Sequence, residues 1–155
     1  MYFNSGGGHE DWTQAVANTW LQDLGVEVEF IAQEFSPYLD VLQSDEGVLG
    51  PYRLGWLWDA PTAENFLSPL FLSESSDNYS RYVSEDFDAA IADFRAAPSE
   101  VDGFGALEEA QNVLCADMPV APIFFGRGQK VHTENVSNVV YTVFGYTELE
   151  NVVVG

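Results

Sequence analysis

The sequence predicts an α/β domain in which helices flank a mainly parallel sheet. In the first half of the chain, short apolar runs typical of strands alternate with amphipathic helical patterns. Two longer helical patterns follow, and the chain then returns to β-branched runs. This order of elements is typical of the α/β class. The 155 residues, of which 46% are hydrophobic, can bury a core of their own, so we expect a single domain over residues 1–155.

The first elements are expected to form a strand–helix–strand unit. Residues 2–4 read as a strand, and the glycines at 6–8 indicate a turn. Apolar residues at three- and four-residue spacing predict a helix from Glu10, which Gly25 ends. Alternation within 26–31 predicts a second strand, which we expect to lie parallel to the first.

A helix and a central strand come next. Ser36 and Pro37 are typical of a helix start, with the serine as N-cap and the proline in the first helical position. This helix is expected to end near Ser44, before a loop over 45–51. Aromatic and aliphatic residues over 52–61, bounded by prolines, predict the central strand.

The second half of the chain is mainly helical before it returns to strands. Thr62 can cap a third helix, and apolar stripes predict two more helices over 85–96 and 101–116. Strands are then expected at 120–125, at 130–132 and in the Val-rich tail from Val136.

The charge and cysteine content exclude some partners and constrain the chemistry. Twenty-five acidic residues against five basic ones give a formal charge of -20. Nucleic acid and anionic membrane surfaces require clustered Lys and Arg, so we exclude both as partners and interpret the acidity as a solvated surface. The single cysteine, Cys115, allows no intrachain disulfide; it lies in an apolar helical pattern and is expected to pack as a small hydrophobe.

Catalytic patterns are missing from the sequence. His9 and His132 are far apart and lack a metal-ligand spacing, and no Gly-x-Ser-x-Gly motif occurs. We therefore expect a protein that is not an enzyme, with no catalytic residue, no metal and no cofactor. A carboxylate-dependent hydrolase stays open as an alternative because acids are abundant, and so does a pure interaction module.

Two segments are expected at the sheet edge where open α/β sheets bind their ligands. The first runs from Asn4 to His9. Its three glycines lead to a helix N-terminus whose N–H groups favour an anion or peptide carbonyls, and His9 can add a donor. The alternative is a flexible turn with an exposed histidine.

The second segment lies at the end of the predicted central strand. In a regular strand Trp56 and Trp58 share one face, while Gly55, Leu57 and Asp59 share the other. The backbone of this stretch can pair with an extended ligand, and the carboxylate of Asp59 requires a cation or donors. The alternative is a core strand in which Asp59 caps the next helix.

The stretch Gly-Trp-Leu-Trp-Asp-Ala-Pro at 55–61 is followed by Asn-Phe-Leu at 65–67 and Asn-Tyr-Ser at 78–80. These pieces resemble the C-terminal part of the peptide-binding proteins of bacterial ABC importers, the oligopeptide- and dipeptide-binding family (family 5) of extracellular solute receptors. The resemblance depends on order and spacing and covers nearly the whole chain. Its other pieces lie at 24–28, 33–35, 38–39, 85–88, 117–119 and Pro122.

The resemblance implies a class II periplasmic-binding-protein fold, of which this chain is a C-terminal lobe fragment without its N-terminal lobe. It implies non-enzymatic binding of peptides and their delivery to the membrane permease of an ABC importer. It also implies an extracytoplasmic location, either periplasmic or anchored at the bacterial surface as a lipoprotein. Relatives of this fold take nickel complexes, haem, glutathione or sugars, so the solute stays open.

The same resemblance assigns roles to individual residues. Asp59 matches the acid that holds the α-ammonium of the peptide, and Trp56 matches a residue that lines the pocket. Arg53 can meet an acidic side chain of the ligand or pair with a surface acid. The expected ligand-binding residues are Asn4, His9, Arg53, Gly55, Trp56, Leu57, Trp58 and Asp59.

Overall fold

A computed structural model describes residues 1–44 and 47–155 of the chain. Its first elements are β1 (Tyr2–Asn4), α1 (Glu10–Leu24) and β2 (Ile31–Gln33). β1 and β2 pair in parallel, which confirms the predicted strand–helix–strand unit. α1 ends as expected at Gly25, whose φ of 68° lies in the left-handed region that glycine enters without strain.

The second strand begins five residues later than predicted. The alternating stretch 26–30 forms no ladder with another described residue, and pairing starts where the Ile31 N–H donates to the Met1 carbonyl at 3.0 Å. Phe30 instead packs edge-on against the buried Phe3, with ring centroids 6.1 Å apart. β1 begins at Tyr2, so the residues before Ile31 have no described strand to pair with; on that side the Met1 ammonium donates to the Glu29 carbonyl at 2.5 Å.

The next helix, α2 (Phe35–Gln43), begins two residues before the predicted start at Pro37. Glu34 precedes it, and its carbonyl accepts the N–H of Tyr38 at 2.9 Å, so the predicted N-cap at Ser36 is wrong. Pro37 is tolerated in the first turn, where the backbone N–H has no partner within the helix. The predicted loop then falls partly on residues 45–46, which lie outside the described residues.

The predicted central strand over 52–61 is reduced to one parallel bridge between Tyr2 and Tyr52. The Tyr2 N–H donates to the Pro51 carbonyl at 2.9 Å, and the Arg53 N–H donates to the Tyr2 carbonyl at 2.8 Å. β1 runs on to Asn4, which in this register lies level with Leu54, but no further backbone hydrogen bond joins the two segments among the described residues.

Three helices form the main core. They are α3 (Glu64–Phe71), α4 (Glu85–Ala96) and α5 (Glu100–Asp117). The last two confirm the predicted helices to within one residue, and each begins at a serine whose hydroxyl accepts a backbone N–H. The buried side chains of this core are Leu67, Phe71, Phe87, Ala90, Ile91, Leu107 and Ala110.

The end of the chain is β-structured, as the Val-rich tail predicts, but its strands are antiparallel. β3 (Val136–Ser137) pairs with β6 (Val153–Val154), and β4 (Val140–Tyr141) pairs with β5 (Thr147–Glu148). A 3₁₀ turn precedes β6.

The strands predicted at 120–125 and 130–132 are wrong. Neither stretch belongs to a described strand, and Phe125 and Val131 are each 97% exposed. Their apolar composition favours burial, but the described contacts cover them only in part: the Phe124 ring packs edge-on against Trp12 of α1, with centroids 5.9 Å apart, and stays exposed. Cys115 is likewise exposed on α5, so the expectation that it packs as a small hydrophobe is wrong. Among residues 1–44 and 47–155, no helix is both long and apolar enough to cross a bilayer.

Replacing Gly103 with alanine should destabilise the fold, because an added Cβ would lie 2.6 Å from Cδ2 of Phe94 and 3.1 Å from its carbonyl oxygen. We expect the free energy of unfolding to fall by about 1 kcal/mol or more. Gly105 is the matched control in the same helix, since its Cβ would meet nothing within 4 Å. Gly105→Ala should stabilise the helix by roughly 0.5–1 kcal/mol, and denaturant unfolding of both variants tests the contrast. Equal effects would contradict the close approach of α4 and α5.

Added salt should stabilise the fold. The chain carries a formal charge of -20, and the ion pair within the described residues joins Arg95 to Glu64 at 2.5 Å. Raising NaCl from 0.1 M to 1 M shortens the Debye length from about 10 Å to about 3 Å and screens this repulsion. We expect the thermal midpoint to rise by about 5 °C.

Removing charge tests whether repulsion causes that rise. The control variant replaces the exposed Glu27, Glu108 and Glu109 with glutamine and should show a smaller rise with salt. A midpoint that does not change with NaCl would contradict the prediction.

Candidate functional site

The ends of β1 and of the Tyr52 bridge meet in a cluster of polar side chains. Nη1 of Arg53 donates to Oδ1 of Asn4 at 3.0 Å. His9 packs beside them, because a Cβ on Gly7 would lie 2.4 Å from Nε2 of His9 and 2.9 Å from Nδ2 of Asn4. The glycine turn therefore folds back onto these two side chains. The structure thus brings together Asn4, His9 and Arg53, although Asn4 and Arg53 are 49 positions apart in the sequence.

His9 is held as a neutral imidazole. It is 8% exposed, so the alternative of an exposed histidine on a flexible turn is wrong. Burial, followed by the nearby Arg53 guanidinium, lowers the pKa of His9, and Glu10 opposes the change. The Trp12 indole N–H lies 3.4 Å from Nδ1 of His9, which places the imidazole proton on Nε2. Nε2 is the nitrogen that faces Gly7, so a donor points towards the cluster.

Arg53 is a half-buried cation without an acid partner among the described residues. The expectation that it pairs with a surface acid is not met there, since the ion pair found joins two other residues. Gly55 lets the guanidinium fold back along the chain, because a Cβ at that position would lie 3.0 Å from Nη2 of Arg53. Its positive charge therefore stays available beside Asn4.

The segment after Arg53 is extended chain with free backbone groups. Among the described residues, no hydrogen bond involves the backbone N–H or carbonyl groups of residues 54–58. Exposure nevertheless alternates as predicted, with Trp56 and Trp58 half-buried and Leu57 86% exposed. The Trp58 ring packs against Phe144 with centroids 5.9 Å apart. We refer to residues 54–58 as the recognition strip.

Asp59 directly follows the recognition strip and has an exposed carboxylate. Its backbone N–H donates to Oδ1 of Asn65 at 2.7 Å, whereas its own carboxylate accepts no hydrogen bond from another described residue. α3 begins after Ala63, and the Thr62 hydroxyl accepts the Asn65 N–H at 3.3 Å. The alternative in which Asp59 caps this helix is therefore wrong.

The arrangement offers three kinds of contact along one stretch. A guanidinium lies at one end, a carboxylate at the other, and unpaired backbone groups between them. Fully extended, the seven residues from Arg53 to Asp59, which are six steps along the chain, span at most about 22 Å. The strip lies on an open surface. An open cavity of about 720 Å³ lies elsewhere, between α3 and α4, and its lining residues include Ser68, Ser73 and Asp88. An extended molecule with charges of both signs fits this surface.

Two residues important to this geometry were not predicted as site residues. Gly7 determines how closely the turn approaches Asn4 and His9. Asn65 contacts both Trp56 and Asp59, although the sequence indicates it only as part of a resemblance. An asparagine near a helix start is common, so the residue type gave no signal of this role.

Comparison with known proteins identifies relatives. No protein-family model matches the chain. The oligopeptide-binding protein OppA of Bacillus subtilis is 28% identical over 151 residues, which cover 97% of this chain and 27% of that protein. The periplasmic oligopeptide-binding protein OppA of Salmonella typhimurium is 30% identical over 125 residues, 81% of this chain and 22% of that protein. The chain is homologous to a segment of the oligopeptide-binding proteins. It spans about a quarter of the length of these relatives.

Solved structures of the oligopeptide-binding family share the fold. The crystal structure of Haemophilus influenzae OppA in complex with RPPGFSPFR matches with a TM-score of 0.81. The match covers 99% of this chain and 30% of that one at 24% identity. The predicted α/β fold of a class II periplasmic-binding-protein lobe is thereby confirmed.

His9 should make the stability of the chain depend on pH. Its pKa is lower in the folded than in the unfolded chain, so the unfolded state takes up the proton first as the pH falls. The stability from the neutral imidazole is present above the ordinary histidine pKa of 6.5 and is lost as the pH falls through the lowered value. His9→Gln should therefore lessen the loss of thermal stability between about pH 7.5 and about pH 5.5.

The exposed His132 provides the matched control, since His132→Gln removes a histidine that is not buried. We expect that variant to keep the pH dependence of the parent chain. If the two variants behave alike, the stability does not depend on the burial of His9.

Proposed function

We propose that this chain forms the C-terminal lobe of an extracytoplasmic solute-binding protein that binds peptides with a free α-amino group. In this proposal residues 1–155 are a single domain and an N-terminal lobe from the same protein closes over the ligand. The receptor performs no catalysis and delivers the peptide to the membrane permease of an ABC importer. The relatives named as periplasmic and oligopeptide-binding proteins support this assignment.

The observation that carries the proposal is the recognition strip with its terminal acid. The N–H and carbonyl groups at 54–58, which have no hydrogen-bond partner among the described residues, can add an extended peptide as a neighbouring strand, which recognises the backbone without selecting a sequence. At the end of the strip, the carboxylate of Asp59 is free to accept the α-ammonium group. Trp56 and Trp58 line the strip with aromatic surface.

The polar cluster of Asn4, His9 and Arg53 serves the other end of the ligand in this proposal. Neutral His9 offers an N–H donor to a peptide carbonyl, and Arg53, which has no acid partner among the described residues, meets an acidic side chain of the ligand. Gly55 and Leu57 contribute backbone groups. The open geometry of the strip is expected for half of a cleft, because a ligand on it stays partly in water until a second surface covers it.

Asp59→Asn in the intact receptor tests the proposal. The substitution keeps the shape and one acceptor oxygen but removes the charge that pairs with the α-ammonium. Affinity for free-amine peptides, measured by calorimetry, should fall on the order of 30-fold or more. N-acetylated peptides lack the ammonium, so they should bind weakly to the unmodified receptor and change little on substitution.

The matched control is Asp93→Asn, which removes an equally exposed acid from α4, outside the recognition strip. This variant should bind both kinds of peptide like the parent receptor. Equal losses for acetylated and free-amine peptides in Asp59→Asn would contradict the role of the carboxylate. Tight binding of an unrelated solute with no peptide binding would contradict the proposed ligand class.

A further inference from the structure

Two hydrogen-bonding groups of Asn65 hold the recognition strip. Its backbone carbonyl accepts the Trp56 indole N–H at 3.0 Å. Its side-chain Oδ1 accepts the Asp59 N–H at 2.7 Å and approaches the Ala60 N–H at 3.4 Å. One residue therefore contacts the strip near its middle and at its acidic end.

Asn65 is itself fixed to the helical core. It is the second residue of α3, and Leu67 and Phe71 of the same helix are buried among α4 and α5. The Asn65 N–H also donates to the Thr62 hydroxyl at 3.3 Å, which orders the turn before the helix. A position on a packed helix holds its neighbours more rigidly than a position in a loop.

The strip requires such an anchor because no ladder orders it. Its backbone groups at 54–58 have no hydrogen-bond partner among the described residues. An extended segment without these bonds loses conformational entropy when it becomes ordered, and a ligand that has to order it binds more weakly. The carboxylate of Asp59 has no described hydrogen bond of its own, so the backbone N–H bonds to Asn65 determine where it lies.

We infer that Asn65 is a positioning residue for ligand binding, which sets the place of the Asp59 carboxylate through the amide oxygen of its side chain. The inference rests on the proposed function, because it assumes that Asp59 pairs with the α-ammonium of a peptide. Asn65 itself contacts no ligand in this account. It acts by ordering the strip before the peptide arrives.

Two substitutions separate this role from general support of the fold. Asn65→Ala removes the acceptor but leaves the backbone carbonyl that holds Trp56, and alanine favours the helix. Asn65→Asp keeps an acceptor oxygen in the same place, and an acid suits the first turn of α3. In the intact receptor, Asn65→Ala should lower affinity for free-amine peptides roughly tenfold, the effect of losing one to two hydrogen bonds that order the site. Asn65→Asp should restore affinity to within about threefold of the parent.

A second measurement needs no peptide. Amide hydrogen exchange of the 155-residue chain should become faster at Asp59 and Ala60 in Asn65→Ala and stay slow in Asn65→Asp. The control Asn18→Ala removes a side-chain acceptor on α1, where Oδ1 of Asn18 accepts from Gln14, and should change neither exchange nor affinity.

The outcomes distinguish the two proposals. If the parent receptor binds acetylated and free-amine peptides equally well, the proposed role of Asp59 fails, and so does the inference that Asn65 acts through it. If the parent prefers free amines and Asn65→Ala keeps both the preference and the affinity, the inference about Asn65 alone is overturned. Unchanged exchange at Asp59 and Ala60 would overturn it as well. A loss in Asn65→Ala that Asn65→Asp does not restore would show that the acceptor oxygen is not what positions the strip.

Discussion

The backbone of Tyr2 is the connection on which the arrangement of the site depends. Its N–H and carbonyl bond to Pro51 and Arg53, and the same strand pairs with β2 on its other side. The Tyr38 hydroxyl adds a bond to the Arg53 carbonyl, which fastens the start of the recognition strip to α2. These bonds bring two segments nearly 50 residues apart in sequence to one edge. The last backbone hydrogen bond of this pairing is the one from Arg53, so the ladder ends where the recognition strip begins.

The end of the ladder explains why the strip is both extended and free. A ladder that continued along residues 54–58 would occupy the backbone groups that an extended ligand requires. Instead Asn4, the last residue of β1, uses its side chain to bind Arg53. Beyond the ladder, this side-chain hydrogen bond is the contact at the start of the strip. At the other end, the side chain of Asn65 accepts the backbone N–H of Asp59.

Helices were predictable because their signals are local. Ser84 and Ser99 each accept a backbone N–H at a helix start, and the apolar stripes that follow pack against each other. Strands were less predictable because a ladder requires a partner that lies elsewhere in the chain. Residues 120–125 have the composition of a buried strand, yet they pair with no described strand and stay exposed, although Phe124 contacts Trp12 of α1.

The site shows the same limit. Alternation in sequence placed Trp56 and Trp58 on one face and Leu57 on the other, and their exposure alternates in the same way because that pattern is a property of extended chain alone. The resemblance drew attention to Asp59. It did not indicate that the Asp59 carboxylate would not cap α3. That outcome depends on the Thr62 hydroxyl, which accepts the Asn65 N–H, and on the Asn65 side chain, which accepts the Asp59 N–H.

The exposed apolar stretch at 120–125 makes the high negative charge important for keeping separate molecules apart in solution. An exposed run of valine, isoleucine and phenylalanine with no charge in it favours pairing between molecules. Pro122 interrupts that pairing because it has no N–H to donate, and mutual repulsion between molecules of charge -20 keeps the runs apart. Salt screens repulsion between molecules as well as within them. The ionic strength that stabilises each folded chain therefore also removes the barrier that keeps the chains dispersed.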